Sequence, residues 1–507
     1  MRWIVRLLLV IVALLMAAFA WLGLPATGAG LAAKNVCSGM FVARRQLADV
    51  VANDVLPASA LLHLVDVQVD AERQLVRARM LWSRERSAML LPGLGCVLDP
   101  TPALVKAVAR REVLPAASHA KPIPRESSSP WLAAASSGID RKAIAAAIDG
   151  AFRDSGDAAG RNTRAVVVLH RGELVAERYG PGFDAATPQI GWSMSKTVLG
   201  LLVYKALEKR GQTATVRAVD WVAQDKRPPW LRDWERDERR SMTLSDLLFM
   251  RDGLDHTEGY EPWSAVPRML WGVGDIAAFA GSAPPEVPPG RRFRYVSATT
   301  NLLSGLLRSR FDDDQAYWRY PASALFEPIG ARSAILETDA SGTFVASSYL
   351  WATPRDWARI GQALLRDRGW LRFATTPPPS VEPATMTYGA QVWLAGAPQG
   401  STCGTDHRLP ADTLLMAGHW GQVTAVVPSR QAVIVRLGMT TDRSRFDRCG
   451  FIRSVVDALP DALPDALPDA PPEAPPEAPP DAPPDTLPDA GPEPLPATGA
   501  ASAGKRS

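Results

Sequence analysis

Ser193-Met194-Ser195-Lys196 puts an amine three residues after a hydroxyl, at the head of an apolar run over residues 197–204. Residues i and i+3 of a helix share a face, so the ammonium can approach the hydroxyl. A serine hydroxyl is a poor nucleophile until a neighbour takes its proton, and a lysine whose pKa is lowered by burial can be that neighbour. Nucleophilic attack on a carbonyl is the chemistry such a pair can do. The spacing alone selects nothing, because Ser118/Lys121 and Ser502/Lys505 repeat it. Lys121-Pro122-Ile123-Pro124 disfavours a helix at the first of these. The second lies in the last six residues, where nothing can bury it. Chance and an N-cap serine explain a bare match. Context singles out Ser193, which follows a strand-like hairpin and opens the apolar run.

A Ser/Lys pair needs a second proton carrier and donors for an oxyanion. Tyr295, after the Pro/Gly/Arg-rich residues 288–294, can be the carrier. A phenol beside an ammonium is expected to lose its proton more readily. The competing reading is a packed tyrosine at a strand end. His419-Trp420-Gly421-Gln422 sits where a strand would line a cleft, with glycine letting a substrate approach backbone N–H groups. By itself it is a turn signal. Cys403 and His407 make a poor zinc site, since no other ligand pair has suitable spacing. Nothing in the chain requires a metal or an organic cofactor.

The elements that must position these residues are legible from periodicity. Residues 164–170 and 173–179 read as strands around an Arg171-Gly172 turn. A helix over residues 141–152 precedes them. Thr243 is expected to N-cap a helical segment running to residue 250. Residues 351–367 read as an amphipathic helix, residues 414–417, 423–427 and 432–439 as strands, and residues 446–459 as a closing helix. Near the N-terminus, residues 65–69 and 75–80 alternate like paired strands. A strand pair, then helices, then a run of strands predicts an α+β fold: an antiparallel sheet flanked by helices, with a mostly helical subdomain.

With 507 residues, 47% hydrophobic and 21% charged, the chain has ordinary globular composition and room for more than one unit. The net charge of +3 gives no sign of a nucleic-acid partner. Ten acidic residues against Lys505 and Arg506 make the stretch from Asp457 onward −8, which leaves about +11 on the rest. In that stretch an acid stands at every fourth position to Glu493 with proline between, an extended polyproline-type spacer. At about 3.1 Å per residue it reaches on the order of 110 Å. Leu495-Pro496-Ala497-Thr498-Gly499 looks like a sortase signal, but no apolar span follows, and the pentapeptide also stands at residues 24–28.

Arg2 and Arg6 precede an 18-residue apolar run over residues 7–24, which directs the rest of the chain across a membrane. Its length exceeds a usual signal core and just suffices to span, which favours an anchor. Ala18-Phe19-Ala20 and Leu31-Ala32-Ala33 keep signal cleavage open. Four cysteines suit an oxidising compartment, and the expected pairs are Cys37 with Cys96 and Cys403 with Cys449. The expected organisation is a signal anchor or signal peptide over residues 1–30, a small unit over 31–114, a linker over 115–138, a main domain over 139–457 and a disordered tail over 458–507.

Ser193-Met194-Ser195-Lys196, Tyr295-Val296-Ser297 and His419-Trp420-Gly421, in that order, resemble the motifs of the serine β-lactamase/penicillin-binding superfamily: Ser-x-x-Lys, Tyr-x-Asn and Lys-Thr-Gly. The chain is most similar to the class C β-lactamase-like branch, which includes esterases and 6-aminohexanoate-oligomer hydrolases. Residues 247–254, Trp192-Ser193-Met194 and residues 354–358 add to the likeness, which covers about residues 140–457. The resemblance implies that Ser193 forms an acyl-enzyme and that Lys196 and Tyr295 share proton transfer. It also implies that the N–H groups of Ser193 and Gln422 hold the oxyanion, beside Gly421, and that Tyr260 faces the cleft. Ser297 stands where the family has asparagine, and His419 where it has lysine. A histidine is mostly neutral near pH 7.

Both departures point away from β-lactams and toward ester or linear-amide hydrolysis, and the leading expectation is a membrane-anchored, periplasmic or extracytoplasmic serine hydrolase. A β-lactamase or cell-wall peptidase is the alternative enzyme. A non-catalytic cell-wall ligand-binding protein on the same fold has no need of Ser193, Lys196 and Tyr295 together. An α/β-hydrolase would want a second glycine after Gly191-Trp192-Ser193-Met194-Ser195.

Overall fold

The computed structural model of the protein describes residue 3 and residues 23–109, 138–153, 160–378, 386–395, 403 and 409–460. The chain divides into two units, Met1–Leu467 and Pro468–Ser507. The second unit, with nearly all of the expected linker and tail, lies outside the described residues. Among those residues, no helix is long and apolar enough to cross a membrane. The apolar run over residues 7–24 falls outside them except for residues 23 and 24.

The first described helix, α1 (Leu24–Cys37), carries Pro25 in its opening turn, where a missing N–H costs nothing. Ala29, Ala32, Ala33 and Val36 are fully buried, and their small side chains let α1 lie close against a sheet. That sheet is an antiparallel meander of β1 (Val65–Asp70), β2 (Leu75–Met80), β3 (Arg86–Leu91) and β4 (Gly95–Leu98). Residue 31, where the small unit was expected to begin, is in the middle of α1. So is the Leu31-Ala32-Ala33 cleavage context, which is buried.

Residues 139 onward build a larger α+β layer. Asp140 caps α2 (Arg141–Phe152). β5 (Thr163–His170) and β6 (Glu173–Tyr179) follow as a hairpin. Its turn residues Arg171 and Gly172 have φ of 54° and 83°, the left-handed pair a tight hairpin demands. The short β7 (Gln189–Ile190) leads into α3 (Met194–Glu208). A helical region then includes Leu244–Leu248, with Thr243 and Asp246 forming a capping box, and α4 (Ser297–Arg308). β8 (Ile335–Leu336) and β9 (Leu350–Ala352) join β7 in a small sheet.

The helix expected over residues 351–367 is α5 (Pro354–Arg366): Trp351 belongs to β9, and Thr353 caps the helix with proline in its first turn. β10 (Trp393–Leu394), β11 (Leu414–Ala417), β12 (Val423–Val427) and β13 (Ala432–Gly438) complete a six-stranded sheet of order β10-β11-β12-β13-β5-β6. Every neighbouring pair is antiparallel. The closing helix α6 (Arg448–Asp457) starts two residues later than expected, because the Asp447 side chain caps it.

The side-chain alternation of β5 and β13 divides the core. Val167, Leu169, Val433 and Val435 pack with Trp357 and Ile360 of α5 on one face. Val166, Val168 and Ile434 pack with Ile144 of α2 and Ile452 of α6 on the other. Both strands are buried on both faces, which is why they read as unbroken apolar runs. The first cluster also takes in α1 and β2, so one continuous apolar core joins the N-terminal sheet to the helical region.

Candidate active site

Ser193 is the N-cap of α3, and Trp192 before it takes a left-handed φ of 49°. Such a conformation is costly for a residue with a side chain and turns the chain abruptly from β7 into the helix. α3 is buried nearly all round, so Lys196, one turn on, is 1% exposed. Its Nζ donates to Ser193 Oγ at 2.8 Å, to Ser297 Oγ at 3.0 Å and to the Ser347 carbonyl at 3.2 Å. All three acceptors are uncharged. Burial therefore dominates and pushes the Lys196 pKa down to about 8, opposed by the nearby Glu258 carboxylate.

Glu258 is the site residue that motif reading missed. It accepts from the Ser297 N–H at 2.7 Å and from Ser297 Oγ at 2.8 Å, at the head of α4. Ser297 thus relays between Lys196 and a carboxylate, where the family's asparagine would offer an amide. The only signal in the sequence is an acid in the short run 255–260, which has no fixed spacing from the motifs. Its loop is held by Asp252, which accepts from the Leu254 N–H at 2.8 Å and from the Thr299 hydroxyl of α4.

Tyr295 lies just before α4, outside any strand, with its ring centroid 4.9 Å from Lys196 Nζ. It packs against Trp393 at 4.9 Å and Tyr388 at 5.6 Å between centroids. The expectation of an easily ionised phenol is overturned. Burial, reinforced by the Glu258 charge, raises its pKa, and this outweighs the hydrogen bond with the Ser193 side chain that would lower it. Lys196 is thus shifted toward its neutral form, while Tyr295 keeps its proton.

His419, Trp420 and Gly421 form a tight turn between β11 and β12, not a strand. Trp420 and Gly421 have φ of 57° and 83°. The turn presses on the nucleophile loop so closely that a Cβ on Gly418 would lie 2.2 Å from the Gly191 carbonyl oxygen. The Gln422 side chain is occupied with the backbone of Gly438 in β13. Among the described residues, its backbone N–H and that of Ser193 make no backbone hydrogen bond, which leaves both free to donate to another acceptor.

The His419 ring is stacked on Tyr260 at 4.2 Å and meets Trp192 edge-on at 5.5 Å. Burial, then the positive charges of Arg443 and Lys196, push its pKa down to about 3. It is neutral at any working pH. Tyr260 lies against His419; burial raises its pKa, against a hydrogen bond with the Ser297 side chain. One fold therefore gathers Ser193, Lys196, Tyr295, Ser297, Tyr260, His419, Gly421 and Gln422.

The cysteines stand apart from this site and pair as expected: Cys37 of α1 with Cys96 of β4, and Cys403 with Cys449 of α6. Cys403 is thereby removed as a metal ligand, and His407 lies outside the described residues. Among those residues, no cluster of three or more His, Cys, Asp or Glu could hold a metal ion.

The beta-lactamase family model matches residues 148–454, more than half of the chain. No curated protein matches. Among solved structures, the chain is similar to a protein described as a 6-aminohexanoate-dimer hydrolase of Bacillus anthracis, at 20% identity, TM-score 0.43, and coverage of 58% of this chain and 77% of that one. A Mycobacterium bovis beta-lactamase shares 16% identity, TM-score 0.40, over 58% of this chain and 92% of its own. A Bacillus halodurans penicillin-binding protein shares 14% identity, TM-score 0.44, over 61% and 98%.

Proposed function

This chain belongs to the beta-lactamase family, and on that footing we propose that it is a serine hydrolase cleaving an ester or linear amide through a Ser193 acyl-enzyme. The observation that carries the proposal is Lys196 Nζ, buried, with a lowered pKa, 2.8 Å from Ser193 Oγ. In the neutral form the amine takes the Ser193 proton as Oγ bonds to the substrate carbonyl carbon. The Ser193 and Gln422 N–H groups hold the resulting oxyanion. The bond to the leaving oxygen or nitrogen then breaks, and that atom takes a proton from Lys196 or Tyr295. Water attacks the acyl-enzyme, one of its protons passes through the Lys196/Tyr295 pair to Ser193 Oγ as the acyl C–Oγ bond breaks, and the acid and free Ser193 are released.

The uncharged His419 supports an ester or linear-amide substrate over a β-lactam, whose carboxylate the family's lysine would meet. The charges that remain near the turn are the exposed Arg443, the buried Arg436, which donates to the Gly421 carbonyl at 3.0 Å, and Lys196 when protonated. The paired cysteines support an oxidising, extracytoplasmic setting. Arg2 and Arg6 ahead of the apolar run support a membrane anchor with the site on the far side.

The test is the intact mass of the protein after a fluorophosphonate and, separately, a penicillin, with Ser193→Ala alongside. A single fluorophosphonate adduct that disappears in the variant is expected. A penicillin adduct on Ser193 would shift the assignment to a β-lactamase or cell-wall peptidase. Folded protein that takes neither reagent is a binding protein on this fold.

A further inference from the structure

The N-terminal layer reaches the site. Leu24, Gly28, Leu31 and Asn35 recur at spacings of three and four, so they form one stripe along α1. That stripe, with Leu61, Leu62 and Met80, walls a cavity of about 80 Å³. The opposite wall is Trp192, Tyr260, His419 and Trp420 of the site just described, with Pro267 and Trp271 beside them. These N-terminal residues lie outside the segment that matches the family.

No lining side chain carries a charge near pH 7, since the one titrating group of low ordinary pKa, His419, is held neutral. Several polar atoms on the wall are already engaged, while the buried Trp192 indole N–H has no hydrogen-bond partner among the described residues. Asn35 donates to the Asp54 carbonyl at 3.4 Å and accepts from the Tyr349 hydroxyl at 3.3 Å. Ser59 accepts from the Leu61 N–H at 3.3 Å. A cavity lined mainly by apolar and aromatic side chains, with no charge on its wall, holds water poorly and takes an apolar guest.

The walls also say which end of the substrate enters. They include the residue before Ser193 and the turn that carries the Gln422 N–H. Lys196, Tyr295 and Ser297 are not among them. A leaving group departs toward its proton donors, so the end that lies away from them is the acyl end. We propose that this cavity binds the uncharged, apolar acyl chain of the substrate, and that residues 24–80 set the chain-length preference of the enzyme. This rests on the acyl-enzyme reading above.

The test compares kcat/KM of the full chain on p-nitrophenyl esters from acetate to octanoate. A parallel series of acetate esters lengthens the alcohol instead. Each buried methylene is expected to raise kcat/KM about fourfold until the cavity is full. Leu61→Asp puts a charge on the wall at a position already 40% exposed, where folding tolerates it. Thr27→Phe fills the space from α1. Either variant that keeps a wild-type melting profile should lower the hexanoate-to-acetate ratio at least tenfold. A flat acyl series with Ser193-dependent acetate hydrolysis overturns the pocket and leaves the acyl-enzyme standing, as does a length dependence on the alcohol side alone. Absence of any turnover and of any Ser193 adduct removes both.

Discussion

At the scale of single residues, the proposed mechanism turns on one pKa. Lys196 is surrounded by neutral acceptors, and its pKa falls to about 8 because burial penalises the ammonium. Only the neutral amine accepts a proton, so kcat/KM for acylation should rise with pH through about 8. Glu258 opposes that fall. Glu258→Gln removes a charge that favours the ammonium, and the rising limb should move to lower pH, even though a carboxylate has been lost from the site. A limb that stays in place, measured on one ester across pH 6–10, would show that Glu258 does not act on Lys196. Tyr295, whose proton is held by burial, should matter most where the leaving group needs one. Tyr295→Phe should cost on the order of 10²-fold on an anilide and much less on a p-nitrophenyl ester.

At the scale of elements, α1 is fastened to the main layer by charge as well as by apolar packing. Lys34 Nζ meets Glu337 at 2.8 Å, with both side chains buried, and lies 4.4 Å from the Tyr349 ring centroid. Glu337 also accepts from Ser38 Oγ at 2.9 Å, from the Cys96 N–H at 2.7 Å and from the Trp351 indole at 3.1 Å. One carboxylate therefore ties α1, β4 and β9 together. Lys34→Met leaves that carboxylate without its cation, and urea unfolding should show a loss of about 3–5 kcal/mol. The double variant Lys34→Met/Glu337→Gln should recover part of it, because no lone buried charge remains. Equal stability of the two variants would mean that the pair contributes only through packing.

At the scale of the whole molecule, the family match begins at residue 148, yet the core does not. Ala29, Val36, Val76 and Met80 belong to the same apolar cluster as Trp271, Tyr349 and Trp351. The Cys37–Cys96 bond closes a loop of 59 residues within that N-terminal layer, worth about 4 kcal/mol in the chain-entropy model. A chain beginning at residue 139 should therefore aggregate or elute as soluble oligomers in gel filtration, while one beginning at residue 23 stays monodisperse. A monodisperse, cooperatively unfolding chain from residue 139 would show that the N-terminal layer serves substrate selection alone.

The sequence by itself determined whatever is local or periodic. The Ser193/Lys196 spacing, five of the six strands of the large sheet, the Thr243 cap and the helix over residues 141–152 follow from side-chain period and capping chemistry, which act over a few residues. Order along the chain likewise carried the three-motif likeness. Tertiary structure decided what depends on partners distant in sequence. Glu258 became a site residue only because its loop folds over the head of α4. Tyr295 was expected to ionise easily beside a lysine, but its proton is held by burial among Tyr388 and Trp393, which periodicity cannot foresee. Tertiary structure also laid α1 against Trp192 and His419, nearly four hundred residues apart at the extreme. Electrostatics and cavity shape are set by everything within a few ångströms in space, and no window on the sequence contains that set.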